Sequence, residues 1–217
     1  MAPIFCGATW FGVTFTTMAT IIGIVGYAGS GKSTLARHLA TKGFTERSFA
    51  SPLKDAVSSL YGMPRAMLEG DTVQSRQWRE DPSNSPVSGT TPRALLQGIG
   101  DALKKDVDPR IFLRAVEASL QTERRVVVSD VRFPLEADLL RNHGGVIVRV
   151  ARGEPPAWEH DVAAILRRGG TPFVQGVHAS EYAWLAIEPD AVIANDGALP
   201  ELHARAEDVL ANINIYV

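Results

Sequence analysis

The stretch that decides the fold is "TIIGIVGYAGSGKSTLARHLA", residues 20–40. It opens with an apolar, largely β-branched run, Thr20–Val25, suited to a strand buried in a parallel sheet. It turns through Gly26, Gly29 and Gly31 and continues as a predicted helix over 33–42, stopped by Gly43. Gly26-Tyr27-Ala28-Gly29-Ser30-Gly31-Lys32-Ser33 fits the phosphate-loop pattern G-x-x-x-x-G-K-[ST]. Glycines let backbone N–H groups turn inward around phosphate oxygens, and the following helix offers its positive end to the same point. In that pattern Lys32 reaches the β- and γ-phosphates of a nucleoside triphosphate and Ser33 holds Mg²⁺. Gly26, Ala28, Gly29, Ser30, Gly31, Lys32, Ser33 and Thr34 are therefore the candidate nucleotide cradle.

Outward from this loop, strands and helices alternate. Short strands are expected at Thr45–Phe49, in "RRVVVSD" (124–130), in "GVIVRVA" (145–151) and in "DAVIAN" (190–195). Helices are expected over 52–60, from the Thr91 cap and Pro92 onward, and over 110–120, 135–142 and 202–211. The helix after Pro92 carries Leu95, Leu96, Ile99 and Leu103 on one stripe, with Arg93 and Gln97 on another face. Residues 62–89 are polar and read as a long loop, and 152–177 read as an insertion with a short arginine-rich helix. Alternating elements predict an α/β fold with a parallel sheet covered on both faces. Ligands of such sheets sit beyond the carboxyl ends of the strands, where Gly26 and Asp130 both fall.

A chain of 217 residues fits one such domain, and 45% hydrophobic with 21% charged residues is typical of a globular protein. The formal net charge of −2 gives no electrostatic case for sequence-independent binding to nucleic acid or a membrane. One cysteine, Cys6, excludes an internal disulfide and suits a reducing cytoplasm. Residues 1–17 are apolar but lack a basic start and are too short to span a bilayer. They are expected to be an upstream-start extension, with "MATIIGIVG" from Met18 as the natural beginning and 18–217 as the domain.

Asp130 ends an apolar strand and can hold Mg²⁺ or its waters, and Arg132 points back to the same side. Arg76, Arg93, Arg132 and Arg152 lie near plausible sheet ends, where a planar guanidinium suits phosphate. His178, Ser180 and Glu181 in "HASE" form a candidate hydrogen-bonding group, and His143 reads as a helix end. No zinc-like spacing and no G-x-S-x-G elbow occur.

These pieces, in order, are "GYAGSGKST", "FASPLKDAV", "LEGD…R", "TPRALLQGIGD", "VVVSDVRFPLEADLLRNHGGVIVRVARG", "HASE" and "DAVIANDGALPEL", spanning most of residues 20–205. Together they resemble the tailed-phage deoxynucleoside monophosphate kinases, a branch of the P-loop nucleoside monophosphate kinase fold. The resemblance implies a three-layer αβα architecture of P-loop kinase type, with a parallel sheet, an acceptor region at about 62–92 and a lid-like insertion at about 152–177. It implies ATP and Mg²⁺ as cofactors, with Ser33 and Asp130 at the metal. It implies Lys54, Asp55, Arg76, Arg93 and Gln97 on the acceptor side, and Asp130 and Arg132 organising metal and transferring phosphate. Glu136 would anchor their loop. Arg152 would act as a lid arginine, and Asn195 to Gly197 would line the adenine pocket. A free nucleotide acceptor, phage nucleotide metabolism in the host cytoplasm and a homodimer are implied in the same way.

Three other readings stay open on the sequence. A related phage kinase phosphorylates hydroxymethyl pyrimidine in DNA, and its hydroxyl acceptor would need a base, Asp130 or Asp55. Dephospho-coenzyme A kinase has a related fold. A non-catalytic nucleotide switch would leave the acceptor-side lysine and arginines unexplained.

Overall fold

The computed structural model describes residues 19–215, so the expectations about residues 1–17 and Cys6 lie outside the described part. Five strands form one parallel sheet: β1 Thr20–Val25, β2 Thr45–Arg47, β3 Arg125–Val128, β4 Val146–Ala151 and β5 Ala191–Ala194, in the order β2-β3-β1-β4-β5. β1 is central, with Ile22 in register with Val127 of β3 on one side and Val146 of β4 on the other. Successive side chains of β1 point to opposite faces, which fills two separate cores. Ile22 and Ile24 pack with α1 (Lys32–Thr41) and α9 (Leu199–Asn212) through Leu35, Leu39, Leu202, Ala206 and Leu210. Ile21 and Val25 pack on the other face with α6 (Ile111–Leu120) and α7 (Pro134–Asn142) through Leu113, Val116, Leu139 and Leu140. The expected three-layer α/β arrangement is present.

Several of the expected strands and helices differ in extent by a few residues. β2 stops at Arg47 rather than Phe49, and the last helix starts at Leu199. The larger correction concerns 62–89, read from the sequence as a loop. After α2 (Ser51–Tyr61), this stretch forms α3 (Arg65–Glu69), α4 (Val73–Glu80) and a 3₁₀ turn at Pro82–Asn84. Gly62 and Gly70 close α2 and α3 in the left-handed conformation, at φ 65° and 68°. Thr72 starts α4 with a reciprocal cap: its Oγ1 accepts from the Ser75 amide at 3.0 Å while Ser75 Oγ accepts from the Thr72 amide at 3.0 Å. A run as polar as "VQSRQWRE" has no apolar stripe to reveal it. Its Trp78 packs with Val57, Met63, Leu68 and Leu96 in a third, smaller core that joins α2, α3 and α4 to α5 (Pro92–Ala102).

Thr91 caps α5 as expected, its Oγ1 accepting from the Ala94 amide at 3.1 Å. α5 passes into a π-helical turn at Leu103–Val107, where the stripe read through Leu103 breaks. The 152–177 insertion contains α8 (Glu159–Arg167), and it is seated on the main core through buried Val162 and Ala163. Tyr27 of the phosphate loop donates to Glu159 Oε2 at 2.8 Å, and Arg149 donates to the same carboxylate. Among the described residues no helix is long and apolar enough to cross a membrane.

Candidate active site

The phosphate loop leaves the carboxyl end of β1 and runs into α1. Gly31 takes φ 110°, and a Cβ there would stand 2.5 Å from Nδ2 of Asn195, so both backbone strain and space demand glycine. That Asn195 amide donates to the Ser30 carbonyl at 2.7 Å and braces the loop from β5's end. Lys32 Nζ donates to the carbonyls of Gly26 and Tyr27 at 2.8 and 2.7 Å, folding the loop onto its own lysine. Burial pulls the Lys32 ammonium down to about 8, Arg132 pulls the same way, and Glu181 and Asp130 oppose. The Ser30 hydroxyl is buried with no partner among the described residues. A nucleotide's phosphates fit this cradle, because they supply acceptors for an orphaned hydroxyl, a helix N-terminus and a desolvated lysine.

Mg²⁺ needs only one or two protein oxygens beside waters and phosphates. Ser33 in the first turn of α1 provides a hydroxyl. Asp130 is held tightly: Oδ1 accepts from the Phe49 amide at 2.9 Å, and Oδ2 from Ser48 Oγ and the Ala50 amide at 2.8 and 3.0 Å. Oδ1 keeps one lone pair, so the pair Ser33 and Asp130 fits the ion. Asp130 thereby also fixes the start of α2, a task its place at a strand end does not reveal.

Across the cleft, Glu136 Oε2 accepts from the amides of Arg132 and Phe133 at 2.6 and 3.0 Å and fixes the loop after β3. Burial pushes this carboxyl up to about 7 against the pull of those amides. Arg93 and Arg132 converge on one oxygen, Glu181 Oε1, at 2.6 and 3.2 Å. Burial raises the Glu181 carboxyl, but Arg132, Arg93 and Lys32 outweigh it and hold the group below its ordinary value. Arg79 of α4 lies beside the same pair. Its Nε is buried and unpartnered among the described residues. Burial lowers its pKa, and the neighbouring Arg93 and Arg132 lower it further. It packs against Gly70, where a Cβ would fall 1.8 Å from Nη2. Three guanidiniums thus share two carboxylates, Glu181 at the centre and Glu80, which accepts from Arg93 Nη1 at 3.0 Å.

Both halves open into one cleft of ≈ 1030 Å³. That is at or beyond the roughly 300–1,000 Å³ of sites for one small ligand, and matches two substrates side by side. Leu53, Leu96, Phe112 and Phe133 give the cleft apolar walls suited to a flat ring.

No family model matches the chain. A protein of Acanthamoeba polyphaga mimivirus, "Putative deoxynucleotide monophosphate kinase", is 33% identical over 147 residues, 61% of this chain and 74% of the relative. The chain belongs to the deoxynucleotide monophosphate kinase family. This places it among the kinases, which move phosphoryl groups. Two solved structures are similar over most of its length. TT1252 from Thermus thermophilus is 21% identical at a TM-score of 0.45, covering 90% of this chain and 98% of that one. The dephospho-CoA kinase from Campylobacter jejuni is 15% identical at a TM-score of 0.45, with the same coverage.

In this member of the deoxynucleotide monophosphate kinase family, most residues singled out for the site from the sequence line the cleft, but the buried Gly26 and Ser30 of the phosphate loop do not. Ala28, Gly29, Gly31, Lys32, Ser33, Thr34, Arg76, Arg93, Gln97, Asp130, Arg132, Glu136, Arg152, Asn195 and Gly197 line it. Lys54 and Asp55 line it too, but Lys54 pairs with Glu69 at 2.6 Å, and Arg65 bridges Asp55 and Glu69. These four tie α2 to α3. Arg76 is exposed, and its Nη1 donates to the Asp71 carbonyl at 3.1 Å. Asn195 spends its amide on the phosphate loop. Arg79 escapes a sequence reading because the segment holding it looks like loop. Asp101 escapes because only the fold brings it to His178, at 2.9 Å.

Proposed function

We propose that this protein transfers the γ-phosphoryl group of ATP to the phosphate of a deoxynucleoside monophosphate, yielding a diphosphate and ADP. An oxygen of the acceptor phosphate forms the new bond to the γ-phosphorus. The bond to the β,γ-bridging oxygen breaks, and its electron pair stays with ADP. The observation that carries this reading is the group Arg79, Arg93 and Arg132 beside Lys32, four cations with Glu181 and Glu80 as their counter-charges. That surplus of positive charge suits a phosphate dianion. Lys32 and the loop amides would hold the donor phosphates, and the arginines would hold the acceptor in line and neutralise charge as it builds. Ser33 and Asp130 would hold magnesium, which would supply neutralisation of charge on the donor phosphates.

A monophosphate acceptor already carries an ionised oxygen and needs no general base. The hydroxyl-acceptor alternative needs one, yet Asp130 would spend its remaining Oδ1 lone pair on Mg²⁺ and Asp55 is paired with Arg65. The net charge of −2 also argues against a duplex acceptor. The reading includes action in the cytoplasm of an infected host, supplying diphosphates for DNA synthesis. It is tested by ADP release with ATP, Mg²⁺ and each of the four deoxynucleoside monophosphates, beside an oligonucleotide containing hydroxymethyluracil. Monophosphate-dependent release is expected. Silence with all four, with γ-label entering the oligonucleotide, overturns it.

A further inference from the structure

Arg132 does not stand at the cleft unaided. Its Nη1 donates to Ser180 Oγ at 3.1 Å as well as to Glu181. Ser180 is buried, and its Oγ lies 2.9 Å from His178 Nδ1. The Ser180 backbone amide also reaches that ring nitrogen, at 3.2 Å. An amide can only donate, so Nδ1 is an acceptor and the ring's proton sits on Nε2. That proton points at Asp101 Oδ2, 2.9 Å away, whose carboxylate Lys104 also holds at 3.1 Å. Burial raises the Asp101 carboxyl, but His178 and Lys104 outweigh it and keep the group below its ordinary value.

All hydrogen bonds then run in one direction. Arg132 donates to Ser180, Ser180 donates through its hydroxyl to His178, and His178 donates to Asp101. The chain ties α5 to the 3₁₀ turn at Ala179–Glu181 and to the loop after β3, three segments far apart in sequence. We infer that His178 and Ser180, anchored by Asp101, are positioning residues that aim the Arg132 guanidinium at the transferring phosphate. The inference rests on the nucleotide-kinase reading for what Arg132 touches. It follows from the geometry that Ser180 Oγ is free to accept from Arg132 because its own proton is committed to His178. Without the ring, the hydroxyl can rotate and Arg132 keeps only the carboxylate it already shares with Arg93. In-line transfer is sensitive to displacements of about 1 Å, which can cost about a hundredfold in rate.

Steady-state kinetics with ATP and the preferred monophosphate test this. His178→Ala and Ser180→Ala should each lower kcat by about ten- to a hundredfold while both KM values stay within about twofold. Ser180→Thr, which keeps the hydroxyl, should recover most of the rate. His178→Asn keeps an acceptor for the Ser180 amide but falls short of Asp101, and should remain impaired. In an Arg132→Ala background, His178→Ala should cost nothing further, because the two act as one unit. Full activity in Ser180→Ala, or an undiminished His178→Ala loss without Arg132, overturns the proposal. A second readout does not depend on activity. In ¹⁵N-arginine NMR of the substrate-free protein, slow rotation of the Arg132 guanidinium should become fast in His178→Ala, and fast rotation already in the wild type overturns the proposal. If the wild type ignores all monophosphates, the function reading fails while this second readout still decides the relay.

Discussion

The two halves of the cleft are built in opposite ways. The donor half is one continuous stretch, residues 26–34, whose binding groups are backbone amides, a helix end and a single lysine. Its shape is set by Gly31 in a conformation that a side chain would strain, and by the Asn195 brace. The half we propose for the acceptor is made of side chains drawn from α4, α5, the loop after β3 and the turn at 178–181. Arg79, Arg93 and Arg132 would repel one another but for Glu181 and Glu80. A backbone cradle is formed as soon as the loop folds and is silent about its ligand beyond phosphate. A side-chain cluster depends on several packed elements at once, and under the proposed function it would set the choice of acceptor.

The comparison can be broken most severely at Lys32. Lys32→Ala should lower transfer by about a thousandfold or more with an unchanged thermal melt, since the lysine acts on transition-state charge rather than on the core. Retained activity would show that the loop does not hold the transferring phosphate. On the acceptor side, Arg79→Ala should raise the monophosphate KM by about tenfold to a hundredfold and leave the KM for ATP nearly unchanged. Arg93→Ala should act in the same direction. Equal loss for both substrates would merge the two halves into one site.

A subtler separation is the proton. In the free protein Lys32 titrates near pH about 8, because burial and Arg132 disfavour its charge. Phosphates favour the ammonium, so ATP binding raises that pKa. Affinity should therefore be full below pH 8 and fall as the pH rises above it. At pH 8 binding should take up about half a proton, read from calorimetry in buffers of different ionisation enthalpy. Monophosphate binding should take up less. The smallest effect is expected at Lys54: its charge is spent on Glu69, and Lys54→Ala should change turnover and both KM values by less than about threefold. A larger loss in the monophosphate KM alone would extend the acceptor site to α2.

The donor half was legible because its chemistry is local. Glycine at set intervals, lysine and serine at the helix start and an apolar strand before them are all neighbours in sequence. Asp130, Arg132 and Arg93 could be singled out as residues at strand and helix ends, but not their partners. Arg79 and α4 stayed hidden, because a polar helix whose one large apolar side chain, Trp78, seals a satellite core leaves no periodic signal. The 152–177 segment showed prolines, glycines and arginines, and only the fold reveals that α8 rests on the core and reaches Tyr27 of the phosphate loop.

By itself, then, the sequence determined the parallel α/β order, the strand-loop-helix that cradles phosphate and the acids and arginines available to it, because short-range spacing dictates backbone shape and face. Tertiary structure alone decided which of those side chains meet: that Asp130 pins α2, that Lys54 and Asp55 bind Arg65 and Glu69, and that Asp101, His178 and Ser180 line up behind Arg132. Such contacts join residues separated by up to 80 positions and more, and their partners are chosen by how helices pack over the sheet, which no local pattern encodes.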